Sequence, residues 1–299
     1  MLGDVLFRNV SRPLWDVPAR VAQLDAHEVA VQVVSPVPIM LAYWAVGELA
    51  DEYARVTNDS VAAMVGASQG RFRGLGTVAL QDPTLAVREL RRVVGELGLD
   101  GVEVGAHIAG RELDDEALRP FWACAEELGA SVFIHPLDGG GDAIRRRGQP
   151  YDWGLAMLTD TAMATVALLN GGILEAHPTL RIALSHGCGT FPWAFPRLKL
   201  GSRLFNAAVA DRYDELVRRL WVDSLVFDPE HLRLLAHRFG ADRVVVGTDF
   251  PFVPGQLEGV RTLVDEATRI GALAQSEVAG VLAGNAAEFL GRSLDSICP

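Results

Sequence analysis

The chain has 299 residues, 49% of them hydrophobic and 22% charged, the balance of a folded globular protein rather than a disordered one. Its formal charge of −11 argues against a nucleic-acid partner, because a phosphate backbone calls for a basic face. No apolar run approaches the roughly 18 residues of a membrane span, so no membrane partner is expected. Cys124, Cys188 and Cys298 are odd in number and far apart, which reads as free thiols in a reducing compartment, the cytoplasm by default.

Taken in chain order, VLFRNV (5–10) already reads as a strand. It is followed by VAVQVVSP (29–36), RFRGLGTVAL (71–80), GVEVGAHI (101–108), SVFIHPLD (131–138), RIALSHGCG (181–189), LWVDSLVF (220–227) and RVVVGTDFP (243–251). These seven later runs are continuously apolar rather than alternating, as strands of a sheet covered on both faces should be. Between them lie helical patterns such as PTLAVRELRRVVGELG (83–98), apolar at i, i+3, i+4 and i+7, and DEALRPFWACAEELG (115–129), which closes on a glycine. Strand and helix alternating in this way predict parallel βα units in an α/β fold. No linker or low-complexity tract divides the chain, so residues 1–299 are read as one domain. An open doubly wound sheet would carry a GxGxxG fingerprint after an early strand, and none is present. A (β/α)8 barrel remains, one strand short of its full count.

Catalytic groups of a parallel barrel sit where its strands end. Three runs finish alike: SVFI hands over to His135, RIALS to His186 and RVVVGT to Asp249, each followed by a loop rich in proline or glycine. Imidazole and carboxylate both bind divalent ions and both move protons near neutral pH. His107, in VEVGAHI, is a secondary candidate for the mouth of the barrel. His177 precedes a strand and reads as a surface residue, and His27, His231 and His237 as solvated ones. Cys188 is either a thiolate ligand or the small residue of a tight turn, and Asp223 either a site carboxylate or a buried, hydrogen-bonded one. Arg8, set among apolar residues, calls for a carboxylate partner from a substrate or from the chain itself. Arg145, Arg146 and Arg147 read as a solvated loop. Arg197 and Arg203 face either a pocket or a neighbouring subunit. Trp153 and Trp193 wall the site or pack.

The blocks VSPVPIMLAYWA, FIHPLD, LEAHPTLRIALSHGCGTFPW, WVDSLVFDPEHLRLL, DRVVVGTDFPF and GNAAEFLG, in this order, resemble the amidohydrolase superfamily, in the branch typified by aminocarboxymuconate-semialdehyde decarboxylase. The resemblance runs from Val5 to about Leu290. It implies a (β/α)8 barrel with one divalent metal, zinc being the expected ion, and a homodimer acting on a small-molecule carboxylate. By position His135 matches the family's fifth-strand histidine ligand and Asp249 its eighth-strand aspartate ligand, which also handles a proton. His186 matches the sixth-strand histidine that activates water on the metal. Arg8 matches the arginine that grips a substrate carboxylate, Arg203 is a match for a substrate arginine contributed by the partner subunit, and Trp153 is a further substrate-binding candidate.

Three features depart from the family pattern. The glycine triplet after the sixth-strand histidine reads GCG, and Leu137 stands where a tryptophan often follows the His-Pro pair. The His-x-His pair of the family's first strand, two metal ligands, occurs nowhere in the sequence. Three readings stay open: a metal-dependent decarboxylase of a small unsaturated acid, a hydrolase or hydratase using the same site, and an inactive barrel without a complete metal site. For the missing strand, a start placed downstream of it is expected rather than an evolved loss.

Overall fold

The βα units are punctuated by one local device. Asp16, Asp82 and Asp228 each precede a helix, and each carboxylate accepts a hydrogen bond from a first-turn amide, Ala19, Thr84 and Glu230 respectively. Pro18, Pro83 and Pro229 occupy the first positions of those helices, where a missing N–H costs nothing. Gly129 ends the helix Arg119–Leu128 in the left-handed conformation that favours glycine.

The computed structural model describes residues 9–137, 140, 142–205, 209, 211–253 and 255–297. Among them seven strands pair in parallel and in sequence order: β1 (Gln32–Val34), β2 (Phe72–Gly76), β3 (Gly101–Gly105), β4 (Ser131–His135), β5 (Arg181–Leu184), β6 (Trp221–Asp223) and β7 (Val244–Val245). All seven predicted runs supply a strand, each shorter than its apolar pattern. The reason is visible at β2. Asn58, from the helix Gly47–Ala67, accepts the Thr77 amide at 2.7 Å and donates to the Thr77 carbonyl at 2.9 Å, so the ladder stops at Gly76.

Alternation along the strands sorts their side chains into two layers. Val102, Val104, Val132, Ile134, Ile182, Leu184, Val222 and Val244 join the large core shared with the helices. Leu75, Phe133, Ala183, Trp221 and Val245 point the other way, into the curl of the sheet, and pack with Phe289 and Leu290. The closing GNAAEFLG stretch is thus a plug beneath the strands. Ser131 Oγ and Arg181 Nε both donate to the Phe289 carbonyl, at 2.7 and 2.8 Å, and Asn285 Nδ2 donates to the carbonyls of Ala241 and Val244 at 2.8 and 2.7 Å.

The sheet is a barrel with a slot. Among the described residues no strand lies between β7 and β1. Of the VLFRNV stretch, residues 5–8 lie outside the described residues, and Asn9 and Val10 are exposed and in no strand. No described helix is long and apolar enough to cross a membrane. Truncating the plug should be expensive. Phe289→Ala should lower the unfolding free energy by about 3–5 kcal/mol, the usual cost of emptying a buried phenylalanine site, as read from urea denaturation.

Candidate active site at the strand ends

The alternation that sends Phe133 into the barrel sends His135 there two residues later. Its Nδ1 lies 2.8 Å from the Pro136 carbonyl, which can only accept, so Nδ1 carries the proton and Nε2 keeps a free lone pair. His186 follows β5 at the head of four consecutive residues with positive φ: His186 at 54°, Gly187 at 59°, Cys188 at 65° and Gly189 at 59°. A side chain on Gly189 would fall on the Leu158 carbonyl, so glycine is required there. Asp223, from the end of β6, holds the turn, its Oδ1 accepting the amides of Gly187 at 3.0 Å and Leu225 at 3.1 Å. The His135 and His186 rings meet edge to face with centroids 4.8 Å apart.

The His135 imidazole is buried and that of His186 half-buried, and desolvation drives both down, His135 to about 3 and His186 to about 4. For His135 the neighbouring His186 adds to the fall, while the Pro136 carbonyl and the Asp249 charge oppose it. Both are neutral at pH 7. Asp249, beyond β7, also has left-handed backbone, with φ of 52°, a conformation that Asp, Asn and His tolerate better than other side chains. The three strand-end residues are therefore brought to one end of the barrel.

A fourth titratable group was not anticipated from sequence. Glu103, central in β3 and facing inward, is fully buried, with one carboxylate oxygen receiving the Ser35 hydroxyl at 2.5 Å and Oε1 without a partner. Burial pushes this carboxyl up to about 8, helped by the charge of Asp249 and opposed by the Ser35 hydrogen bond. The only signal for it in the sequence is one charged residue in the otherwise apolar GVEVG.

The donor chemistry fits part of a divalent-metal site: a free Nε2 on His135, the Asp249 carboxylate, and buried polar atoms without partners at His186 Nδ1 and Glu103 Oε1. Among the described residues, no three His, Cys, Asp or Glu side chains are gathered closely enough to hold an ion on their own.

Residues 9–292 match the amidohydrolase family. The chain belongs to it. It is 36% identical to 2-amino-3-carboxymuconate-6-semialdehyde decarboxylase of Dictyostelium discoideum, over 97% of this chain and 81% of that protein. Among solved structures, apo IDCase of Metarhizium anisopliae superposes with a TM-score of 0.83 at 21% identity, over 97% of this chain and 82% of that one. The dihydroxybenzoic acid decarboxylase of Polaromonas, solved with bound manganese and 2-nitroresorcinol, superposes with a TM-score of 0.75 at 24% identity, over 91% and 85%. These likenesses establish the amidohydrolase barrel for this chain.

Of the other candidates, Arg8 lies outside the described residues, as does Cys298. His107 has one ring nitrogen buried without a partner, and its Nε2 lies 4.0 Å from Asp160 Oδ1. Cys188 is the turn residue rather than a thiolate: it is buried, 3.0 Å from the Thr165 hydroxyl, and burial pushes its thiol up to about 12. Asp223 is the buried, hydrogen-bonded carboxylate. His177 is not a free surface residue, because its Nδ1 meets Glu126 at 2.9 Å. Trp153 is half exposed and packs on Phe227, ring centroids 5.7 Å apart. Arg145, Arg146 and Arg147 are exposed and line a cavity of about 680 Å³ with Tyr151 and Leu155. Arg203 lies on the exposed face of the helix Phe191–Phe205, 3.7 Å from Asp211.

These shifts make stability depend on pH in opposite directions. Glu103 keeps its proton up to about 8 in the fold but only to about 4.5 when unfolded, so stability falls as pH rises between those values. The two histidines bind protons near 6.5 only when unfolded, so they remove stability as pH drops from 6.5 toward 3–4. Between 6.5 and 8 the Glu103 slope acts without them. In metal-free protein, urea unfolding should show stability dropping by up to about 2 kcal/mol across that window, and Glu103→Gln should flatten the drop.

Proposed function

We propose that this protein is a metal-dependent decarboxylase of a small unsaturated or aromatic carboxylic acid. The observation that carries the reading is the edge-to-face contact of His135 and His186, with the Asp249 charge acting on His135, at the strand ends of an amidohydrolase barrel. The names of its relatives, decarboxylases of aminocarboxymuconate semialdehyde and dihydroxybenzoic acid, support the reaction class. Decarboxylation breaks a carbon–carbon bond, leaves the electron pair on carbon and replaces CO2 by a proton. The site must therefore orient the acid, accommodate the developing negative charge and manage one proton.

His135 Nε2 and the Asp249 carboxylate are the chain's own ligands for a divalent ion, zinc by family resemblance and manganese in the solved relative. When bound, such an ion supplies Lewis-acid stabilisation of negative charge on the substrate. His186, neutral and with an unpartnered nitrogen, takes and returns the proton, and Asp249 assists it. Glu103, protonated at neutral pH, keeps a second negative charge from building beside Asp249. Arg8 is proposed to grip the carboxylate by resemblance, and Trp153 with Phe227 to wall the mouth.

The test is product identification. Purified protein supplied with zinc or manganese should release one CO2 per molecule of 2-amino-3-carboxymuconate 6-semialdehyde or of a 2,6-dihydroxybenzoate. His186→Ala and Asp249→Asn should each lower kcat by about 10²–10⁴-fold, the range for removing an acid–base group. Ring opening or hydration with the carboxylate retained would overturn the reading in favour of a hydrolase or hydratase.

A homodimer is part of the proposal. The helix Phe191–Phe205 leaves Trp193 85% and Phe205 89% exposed, with Leu200 and Leu204 also exposed beside Arg203. So much apolar surface on one helix marks an interface. Light scattering should give twice the chain mass, and Phe205→Glu should shift it to the monomer.

A further inference from the structure

Arg20, in the helix Val17–Ala26, is a buried guanidinium with no carboxylate within 4.0 Å among the described residues. Its donors go to neutral acceptors instead. Nε donates to Gln32 Oε1 at 2.7 Å, Nη2 to the Phe250 carbonyl at 3.2 Å and Nη1 to the Pro13 carbonyl at 3.4 Å. Its cationic carbon lies 5.8 Å from the ring centre of Phe72 and 5.3 Å from that of Phe250. Burial lowers its pKa to about 10, so the group stays charged at neutral pH.

The two ends of this bridge lie on opposite sides of the slot. Gln32 opens β1, and Phe250 follows Asp249 beyond β7. β7 is two residues long, and among the described residues it pairs only with β6. His135 and His186, in contrast, extend from β4 and β5, strands with a paired neighbour on each side. The turn at Asp249 has left-handed backbone, a conformation that needs support from outside.

From this geometry we propose that Arg20 is a positioning residue. It ties the carbonyl after Asp249 to β1 across the slot, and so holds the Asp249 carboxylate toward His135. The catalytic part of the proposal rests on the decarboxylase reading; the tether itself does not. An arginine suits the role because its rigid planar fork spreads donors over three nitrogens and so reaches acceptors set apart from one another, which the single nitrogen of a lysine cannot span.

The local amides report on the tether. The Phe250 amide donates to Thr248 Oγ1 at 3.3 Å, and those of Phe252 and Val253 donate to the Asp249 carbonyl at 2.8 and 3.3 Å. In Arg20→Ala, hydrogen exchange at Phe250, Phe252 and Val253 should speed up at least tenfold while β3, β4 and β5 stay protected. Arg20→Lys should resemble Arg20→Ala. Decarboxylation should show kcat lowered about 10–100-fold with KM within about threefold, as expected when a reacting group is misplaced without loss of binding. Gln32→Ala removes one anchor and leaves the buried charge in place. It should show the same local exchange at smaller amplitude, and it decides the matter if Arg20→Ala does not fold. Unchanged exchange at the three amides, or exchange raised evenly over all strands, would overturn the proposal. Wild-type protein that releases no CO2 would defeat the decarboxylase reading, while the exchange experiment would still decide the tether.

Discussion

Two-residue alternation in a parallel sheet covered on both faces is the constraint on which the rest of this molecule depends. Once Val132 and Ile134 are committed to the helix layer, Phe133 and His135 have nowhere to go but the interior. The same parity turns Glu103 inward between Val102 and Val104, and Asp223 inward after Trp221. Phe289 and Leu290 close the bottom of that interior with apolar surface. The site is a consequence of how the core is sorted, and a slip of one residue in register would empty it.

A second constraint comes from backbone strain. His186 and Asp249 both sit at positive φ, and such conformations persist only where neighbours fix them. At His186 the support is internal to the sheet: Asp223 collects the turn's amides and Gly189 lets the Leu158 carbonyl approach. Near Asp249, among the described residues, β7 pairs with β6 alone, and a contact across the slot comes from Arg20 in the helix layer. The two reactive positions are thus held by different devices, one a buried carboxylate and the other a buried cation.

Burial sets the charge state of the site. It keeps both histidines neutral and Glu103 protonated, so the interior carries less charge than its titratable residues would suggest. Like charges in a poorly solvated space cannot all be sustained, and desolvation here removes the charge from three of the four groups. It also leaves neutral imidazole nitrogens, the form in which histidine binds metal or accepts a proton.

Much of this was legible in the sequence. Continuous apolar runs named all seven strands, and a His or Asp at the end of three runs singled out His135, His186 and Asp249. Those features are local, carried by residue type and spacing. Glu103 escaped because one charged residue in GVEVG reads equally well inward or outward, and only parity against β4 decides between them. His177 read as surface because Glu126, its partner, is 51 residues away. The strand ends were overestimated because Asn58 takes up the backbone groups of Thr77 from another element. The sequence by itself determined the fold class, the order of the strands and the identity of the strand-end residues, because hydrophobic periodicity and turn chemistry are short-range. Only the tertiary structure decided the charge state of the buried groups and what spans the slot between β7 and β1. Desolvation depends on everything packed around a group, and the Arg20 contact with Phe250 joins residues 230 apart in the chain.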